Sequence, residues 1–191
     1  MKKVIIIPAI LAATIVYSQI SLGVKAGVNI SNFTGGDFGS VEKEALVGFH
    51  GGGLVNIRLG HLALQPELLF SSQGAKLKQG GQESNFKISY INIPIMLQYQ
   101  TDGGFYVEAG PQGGFKISES VPDSTIGDFA KGGDLSFGFG LGYHSKIGFG
   151  IGGRYLVGVS KIGDFDSGDI NPDFKNSVIQ FSVFYTFFGK K

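Results

Sequence analysis

One pattern limits what this chain can become: residues of alternating polarity recur in eight separate stretches, with no useful helical period between them. Ile20, Leu22, Val24, Ala26, Val28 and Ile30 fall on one side of an extended chain, and Ser21, Gly23, Lys25, Gly27, Asn29 and Ser31 on the other. Successive side chains of a strand point to opposite faces, so this stretch is a strand with one apolar face. The alternation returns over Val47 to Leu59, Leu62 to Phe70, Ile91 to Tyr99, Phe105 to Ile117, Leu135 to Tyr143, Ile147 to Val159 and Ile179 to Phe187. The connections alternate too. Long ones are expected near 33–45, 75–86, 118–133 and 161–174, and short ones at 60–61, 100–104 and 144–146. Long loops at one end and tight turns at the other predict an all-β fold, an eight-stranded antiparallel up-and-down barrel.

Two features predict that the apolar faces look out at lipid. They carry about forty sizeable side chains, whereas an eight-stranded barrel has an interior only just wide enough for side chains to fill. In addition, the six charges within these stretches, Lys25, Arg58, Glu67, Glu108, Lys116 and Arg154, all fall on the opposite face. A Lys or Arg on the lipid face near the midplane costs roughly 2–4 kcal/mol, and in lipid a closed barrel pairs every strand N–H and C=O. The low charged fraction, 16%, agrees with a surface that water does not fully cover. The reading is therefore a transmembrane β-barrel. Beyond the N-terminal segment the longest uncharged stretches, 88–101 and 176–189, are 14 residues each, too short for a spanning helix. A net charge of +1 gives no basic face for nucleic acid, the 42% hydrophobic content is too high for a disordered chain, and the 32 glycines follow no collagen period.

Residues 1–18 read as a signal peptide: a basic start at Lys2-Lys3, an apolar run from Val4 to Val16, then Tyr17-Ser18. Residues 19–191 are expected to form a single outer-membrane β-barrel domain. No cysteine is present, so neither a lipid-anchored cysteine nor a disulfide is expected. The short turns then face the periplasm and the long loops the outside.

The inward face is rich in glycine: Gly48, Gly52, Gly110, Gly114, Gly138, Gly140, Gly142, Gly148, Gly150 and Gly152. Glycines bend strands and leave space. That space is expected to let Arg58, Glu67, Glu108 and Arg154, with Lys25 and Lys116, reach across and pair as an internal ionic plug, since unpaired charges in so narrow a lumen would be strongly penalised. His50, Gln65 and Asn92 are expected to be polar lumen residues. Tyr99, Phe105, Tyr143 and Phe187 stand at the short-turn ends, where an interfacial aromatic girdle is expected.

Several stretches carry a family resemblance. They are Gly23-Val24-Lys25-Ala26-Gly27-Val28-Asn29, Leu64-Gln65-Pro66-Glu67-Leu68-Leu69-Phe70-Ser71 with Gly74-Ala75-Lys76, Tyr90-Ile91-Asn92-Ile93-Pro94-Ile95, Gly110-Pro111 and Arg154-Tyr155. In their order the chain resembles the PorT-like outer-membrane β-barrel proteins, a group of small porin-like barrels. The last strand also resembles the terminal signal read by the barrel assembly machinery, although Gly189-Lys190-Lys191 follows its aromatics. The resemblance implies an outer-membrane barrel in a Gram-negative envelope, and for a minority role an accessory of a type IX-like secretion system. Asn92 departs from it, standing where an acidic residue is expected, which leaves one partner fewer for Arg58 or Arg154.

Other motifs carry little chemistry. Gly148-Phe149-Gly150-Ile151-Gly152-Gly153 matches a dinucleotide fingerprint, but it lies inside a strand with no helix after it. Asp164-Phe165-Asp166-Ser167-Gly168-Asp169 resembles the start of a calcium loop, yet Lys175 stands where the closing Glu is needed. His50, His61 and His144 are scattered and lack metal-ligand spacing. A hydrolase would need a Ser activated by a His, and His50 is the sole lumen candidate, read here as a structural hydrogen bonder. The function expected is that of a small monomeric barrel without enzymatic activity or cofactor, in contact with outer-membrane lipid and lipopolysaccharide. Its role is structural, surface-interacting or weakly conducting, and its loop partner is not specified by the sequence. The alternative is an enzyme that modifies lipid A or phospholipid.

Overall fold

The computed structural model describes residues 19–37, 42–79, 82–120, 132–160 and 171–187. The expected signal peptide, the acidic loop 164–169 and the terminal 188–191 lie outside them. Eight strands form the fold: β1 (Gln19–Asp37), β2 (Glu42–Leu59), β3 (Leu62–Gln79), β4 (Gln82–Gln100), β5 (Phe105–Ser120), β6 (Gly133–His144), β7 (Phe149–Gly158) and β8 (Asn171–Phe187). Each pairs antiparallel with its neighbours, and β1 pairs with β8, so the sheet closes into a barrel with no free edge. Closure matters physically because every strand's backbone groups find partners within the protein.

The short connections are turns in which glycine takes a left-handed conformation: Gly60 between β2 and β3 (φ 62°) and Gly148 between β6 and β7 (φ 92°). At Gly148 the carbonyl accepts from the N–H of Thr186, which fastens this turn to β8.

Two of the expected long loops are largely strand. β1 runs on to Asp37 and β2 begins at Glu42, while β3 reaches Gln79 and β4 begins at Gln82, inside the intervals 33–45 and 75–86 that polarity assigned to loops. Ladder pairing continues there through Ala45↔Ala75, Ala75↔Phe86 and Lys76↔Asn85. Polarity alternation stops because the strands have left hydrocarbon, not because pairing has ended. The shortest strand, β7, has 10 residues, about what tilted strands need to cross hydrocarbon, and β4 has 19. Because the β2–β3, β4–β5 and β6–β7 turns are all tight, the excess projects at the opposite end. Nine residues at ~3.4 Å each, tilted by ~45°, raise that wall about 20 Å above the β6–β7 rim.

The alternation decides burial residue by residue. Leu22, Val24, Phe49, Leu68, Leu97, Phe139, Leu141 and Phe181 are exposed around the outer surface, whereas Lys25, Asn29, His50, Glu67, Gln98, Glu108 and Arg154 are buried inside. The core of this protein is thus polar and its surface apolar, the reverse of a water-soluble domain.

Candidate functional site: the closed lumen

The middle of the lumen is bridged by ionised side chains from four strands. Arg154 of β7 donates through Nη2 and Nη1 to the Glu67 carboxylate of β3 (2.8 and 3.1 Å) and through Nε to Oε1 of Glu108 on β5 (2.7 Å). Lys25 of β1 donates to both oxygens of Glu67 (2.9 and 3.2 Å). All four side chains are buried. Two cations meet two carboxylates, so the cluster is neutral. Neutrality is what a low-dielectric lumen demands, because removing one partner leaves an uncompensated buried charge.

Amides complete a ring around these ions. Gln65 Nε2 donates to Glu67 Oε1 (2.8 Å), Asn56 Nδ2 donates to Gln65 Oε1 (2.9 Å) and Gln98 Oε1 (3.1 Å), and Gln98 Nε2 donates to Glu108 Oε2 (2.9 Å). With the two Arg154 contacts the hydrogen bonds close on themselves across β2, β3, β4, β5 and β7.

The glycine wall explains how so many long side chains fit. At Gly140 a Cβ would stand 2.7 Å from Glu108 Oε1, at Gly142 it would stand 2.5 Å from the Tyr106 hydroxyl, and at Gly150 it would collide with the Phe184 ring. Gly140, Gly142 and Gly150 each give up a side chain so that one from another strand can occupy the lumen. Toward the short-turn end, Leu54, Tyr106 and Phe184 form a buried apolar floor, with the Tyr106 and Phe184 rings edge to face at 6.3 Å.

A second polar tier lies beside the ionic one. His50 Nδ1 is 2.7 Å from Asn29 Oδ1, and His50 Nε2 is 2.9 Å from Ser182 Oγ. An amide oxygen only accepts, so Nδ1 carries the proton and Nε2 accepts from the Ser182 hydroxyl. Asn29 is held in turn by Ser71 Oγ (3.0 Å), the Ser72 carbonyl (2.9 Å) and Gln180 Nε2 (3.1 Å). The connectivity Ser182, His50, Asn29 is that of a nucleophile, a base and an orienting group. All three side chains are enclosed, His50 and Asn29 almost completely.

The structure brings together four of the six charges singled out in the sequence. Arg58 stands apart at the β2–β3 turn, where Nε donates to the Gly60 carbonyl (2.8 Å). Lys116 lies near the far end of β5, 3.1 Å from Glu119. Both have the inward parity but sit at the mouths, at heights the four central groups do not reach. Gln65 belongs to the ring, His50 to the second tier, and Asn92 is buried with its Oδ1 facing Gly114. Tyr99, Phe105, Tyr143 and Phe187 lie at the short-turn ends of β4, β5, β6 and β8, with Phe105 and Tyr143 edge to face at 5.2 Å. Sequence reasoning missed Asn29, Asn56, Gln98, Gln180 and Ser182, and the floor residues Leu54, Tyr106 and Phe184. The usable signal was parity: Asn29, Asn56, Leu54 and Tyr106 share the inward side of their strands with a charge or a glycine, and Gln98, Gln180, Ser182 and Phe184 lie opposite the apolar side of β4 and β8.

Comparison with protein families gives one match, to the outer membrane protein beta-barrel domain, over residues 13–164. The chain belongs to that family. Comparison with curated protein sequences finds no match. Among solved structures, this outer-membrane barrel is similar to the Neisserial surface protein A, with a TM-score of 0.55, 15% identity and coverage of 87% of this chain and 97% of that one. OprG from Pseudomonas aeruginosa gives a TM-score of 0.49 at 15% identity, covering 90% of this chain and 96% of that one. Ail, the attachment invasion locus protein of Yersinia pestis, gives 0.48 at 14% identity in its complex with a heparin analogue, covering 89% and 99%. At these identities the likeness concerns the fold. The match is to the outer-membrane barrel family at large.

Proposed function

We propose that this outer-membrane barrel is a closed, non-enzymatic surface scaffold of a Gram-negative bacterium, exported by a cleaved signal peptide and working through the strand wall it raises above the membrane. The observation that carries the reading is the sealed lumen: the neutral cluster of Lys25, Glu67, Glu108 and Arg154, backed by the apolar floor of Leu54, Tyr106 and Phe184. A barrel filled in this way offers solutes no path. What distinguishes it is the height of β1 to β4 over β6 and β7.

Two measurements test the reading. In planar bilayers the purified protein is expected to be silent, and a sustained conductance would favour a channel instead. The chain has no cysteine, so single cysteines report topology cleanly. Lys87→Cys, on the tall wall, is expected to react with a membrane-impermeant maleimide on intact cells, and His61→Cys, in the β2–β3 turn, only after lysis. The reverse labelling would invert the barrel and remove the surface role.

A lipid-modifying enzyme is the second reading, favoured by the Ser182–His50–Asn29 connectivity. Against it, the Ser182 side chain points into the lumen while lipid lies outside the wall. Lipid A and phospholipid mass spectrometry of cells with wild type or Ser182→Ala separates the two: identical lipid profiles support the scaffold. A part in type IX-like secretion rests on the resemblance alone.

A further inference from the structure

The outer surface carries a feature that the sealed lumen does not explain. A groove of about 550 Å³ crosses the lipid-facing side from β5 to β1, its walls formed by Phe105, Leu141, Tyr143, Ile151, Phe181 and Val183. Its floor is backbone at Gly153, which lies in register between Leu141 and Phe181. Gly153 is the one small residue among the outward positions of β7, whose others are Phe149, Ile151, Tyr155 and Val157. Ala26 of β1 makes the far end shallow in the same way.

Among the described residues nothing requires glycine there. A Cβ on Gly153 would find its nearest neighbours at 3.8–4.0 Å, an ordinary van der Waals distance, whereas Gly140, Gly142 and Gly150 each have no room for one. Glycine in a strand interior gives up packing and adds chain entropy, and it often marks a place where a ligand approaches the backbone closely. The groove is continuous with the lipid-facing belt, so hydrocarbon fills it. At one end it reaches Phe105 and Tyr143, the aromatic pair at the short-turn boundary, which places it in the leaflet on that side. In an outer membrane the short-turn side is the phospholipid leaflet.

We infer that this groove is a binding site for one acyl chain of a glycerophospholipid, seated against the Gly153 backbone between Leu141 and Phe181. An acyl chain lying on bare backbone gains dispersion contacts along the Phe181 and Leu141 side chains that it would not make against a uniformly studded surface. The site uses only the lipid-facing belt, and its assignment to phospholipid rests on the proposed orientation, with the short turns toward the periplasm.

The test is native mass spectrometry of the folded protein in detergent with added palmitoyl-oleoyl phosphatidylethanolamine, each variant first checked for heat-modifiable gel mobility. Wild type is expected to retain one phospholipid. Gly153→Leu, which fills the floor, is expected to need at least tenfold more lipid for the same occupancy, and Ala26→Leu, at the far end, to weaken binding in the same direction should Gly153→Leu fail to fold. Gly113→Leu adds the same side chain at an outward glycine of β5 with nothing within 4 Å, outside the groove, and is expected to bind as wild type does. Equal occupancy in all variants, or equal loss in Gly113→Leu, would overturn the site. So would tighter retention of lipid A than of phospholipid, or a dimer that Gly153→Leu abolishes, which would give the groove to a second copy.

Discussion

Glu67→Gln is the sharpest probe of the lumen. The Glu67 carboxylate accepts five hydrogen bonds, two from Lys25, two from Arg154 and one from Gln65, at 2.8–3.2 Å. Gln has nearly the same volume, so packing is kept while one negative charge is lost and an amide N–H₂ is turned toward groups that are themselves donors. Lys25 and Arg154 are then left against Glu108 alone, a net buried charge of one. Breaking a buried pair by removing one partner costs about 3–5 kcal/mol, or roughly two to four powers of ten in the folding equilibrium. Urea titration of the barrel in lipid vesicles, followed by far-ultraviolet circular dichroism, reads this directly. Arg58→Gln is the comparison, because Arg58 has the same inward parity but, among the described residues, makes a single hydrogen bond at the rim; it is expected to cost no more than about 1.5 kcal/mol. Lys25→Met combined with Glu67→Gln restores neutrality and is expected to regain at least ~1 kcal/mol over Glu67→Gln alone, through non-additivity of groups in contact. If Glu67→Gln costs no more than Arg58→Gln, the ionic cluster does not hold the lumen together and the reasoning fails.

Other outcomes follow from the same geometry. Phe139→Arg, halfway along β6 on the exposed side, is expected to destabilise the folded barrel by roughly 2–4 kcal/mol, while Ile147→Arg in the β6–β7 turn costs about 0–1 kcal/mol; equal costs in a vesicle unfolding assay would mean that the lipid boundary is drawn wrongly. Gly150→Val drives side-chain atoms into the Phe184 ring and is expected to cost about 1–3 kcal/mol by overpacking, with Phe184→Ala in the same chain recovering part of the loss. His50→Ala leaves Asn29 Oδ1 and the Ser182 hydroxyl each without one partner, and an expected loss of about 1–3 kcal/mol would be visible as a lower urea midpoint with an unchanged slope.

The extent of the strands was only partly legible. Polarity alternates when one face meets lipid and the other does not, so the pattern marks the hydrocarbon boundary. Over Ala75–Gln79 and Gln82–Phe86 the backbone keeps its ladder, yet polarity there no longer follows the pattern of Leu62 to Phe70 and Ile91 to Tyr99. Hydrogen-bond pairing has no sequence period of its own, and for that reason the tall wall read as loop.

Strand number, barrel closure and the outward direction of Leu22, Val24, Phe139, Leu141 and Phe181 were set by the local sequence, because a side-chain period of two leaves each residue a single choice of face and lipid fixes which face is apolar. Parity also put Lys25, Arg58, Glu67, Glu108, Lys116 and Arg154 inside. It could not say which of them meet. Height in the lumen depends on the register between neighbouring strands, such as Gly140↔Arg154 and Gln98↔Glu108, and register accumulates around the whole closed sheet. Only the tertiary structure therefore decided that Arg154 reaches Glu67 from the opposite wall, that Arg58 and Lys116 remain at the mouths, and that Gly140, Gly142 and Gly150 stand where the lumen side chains need room.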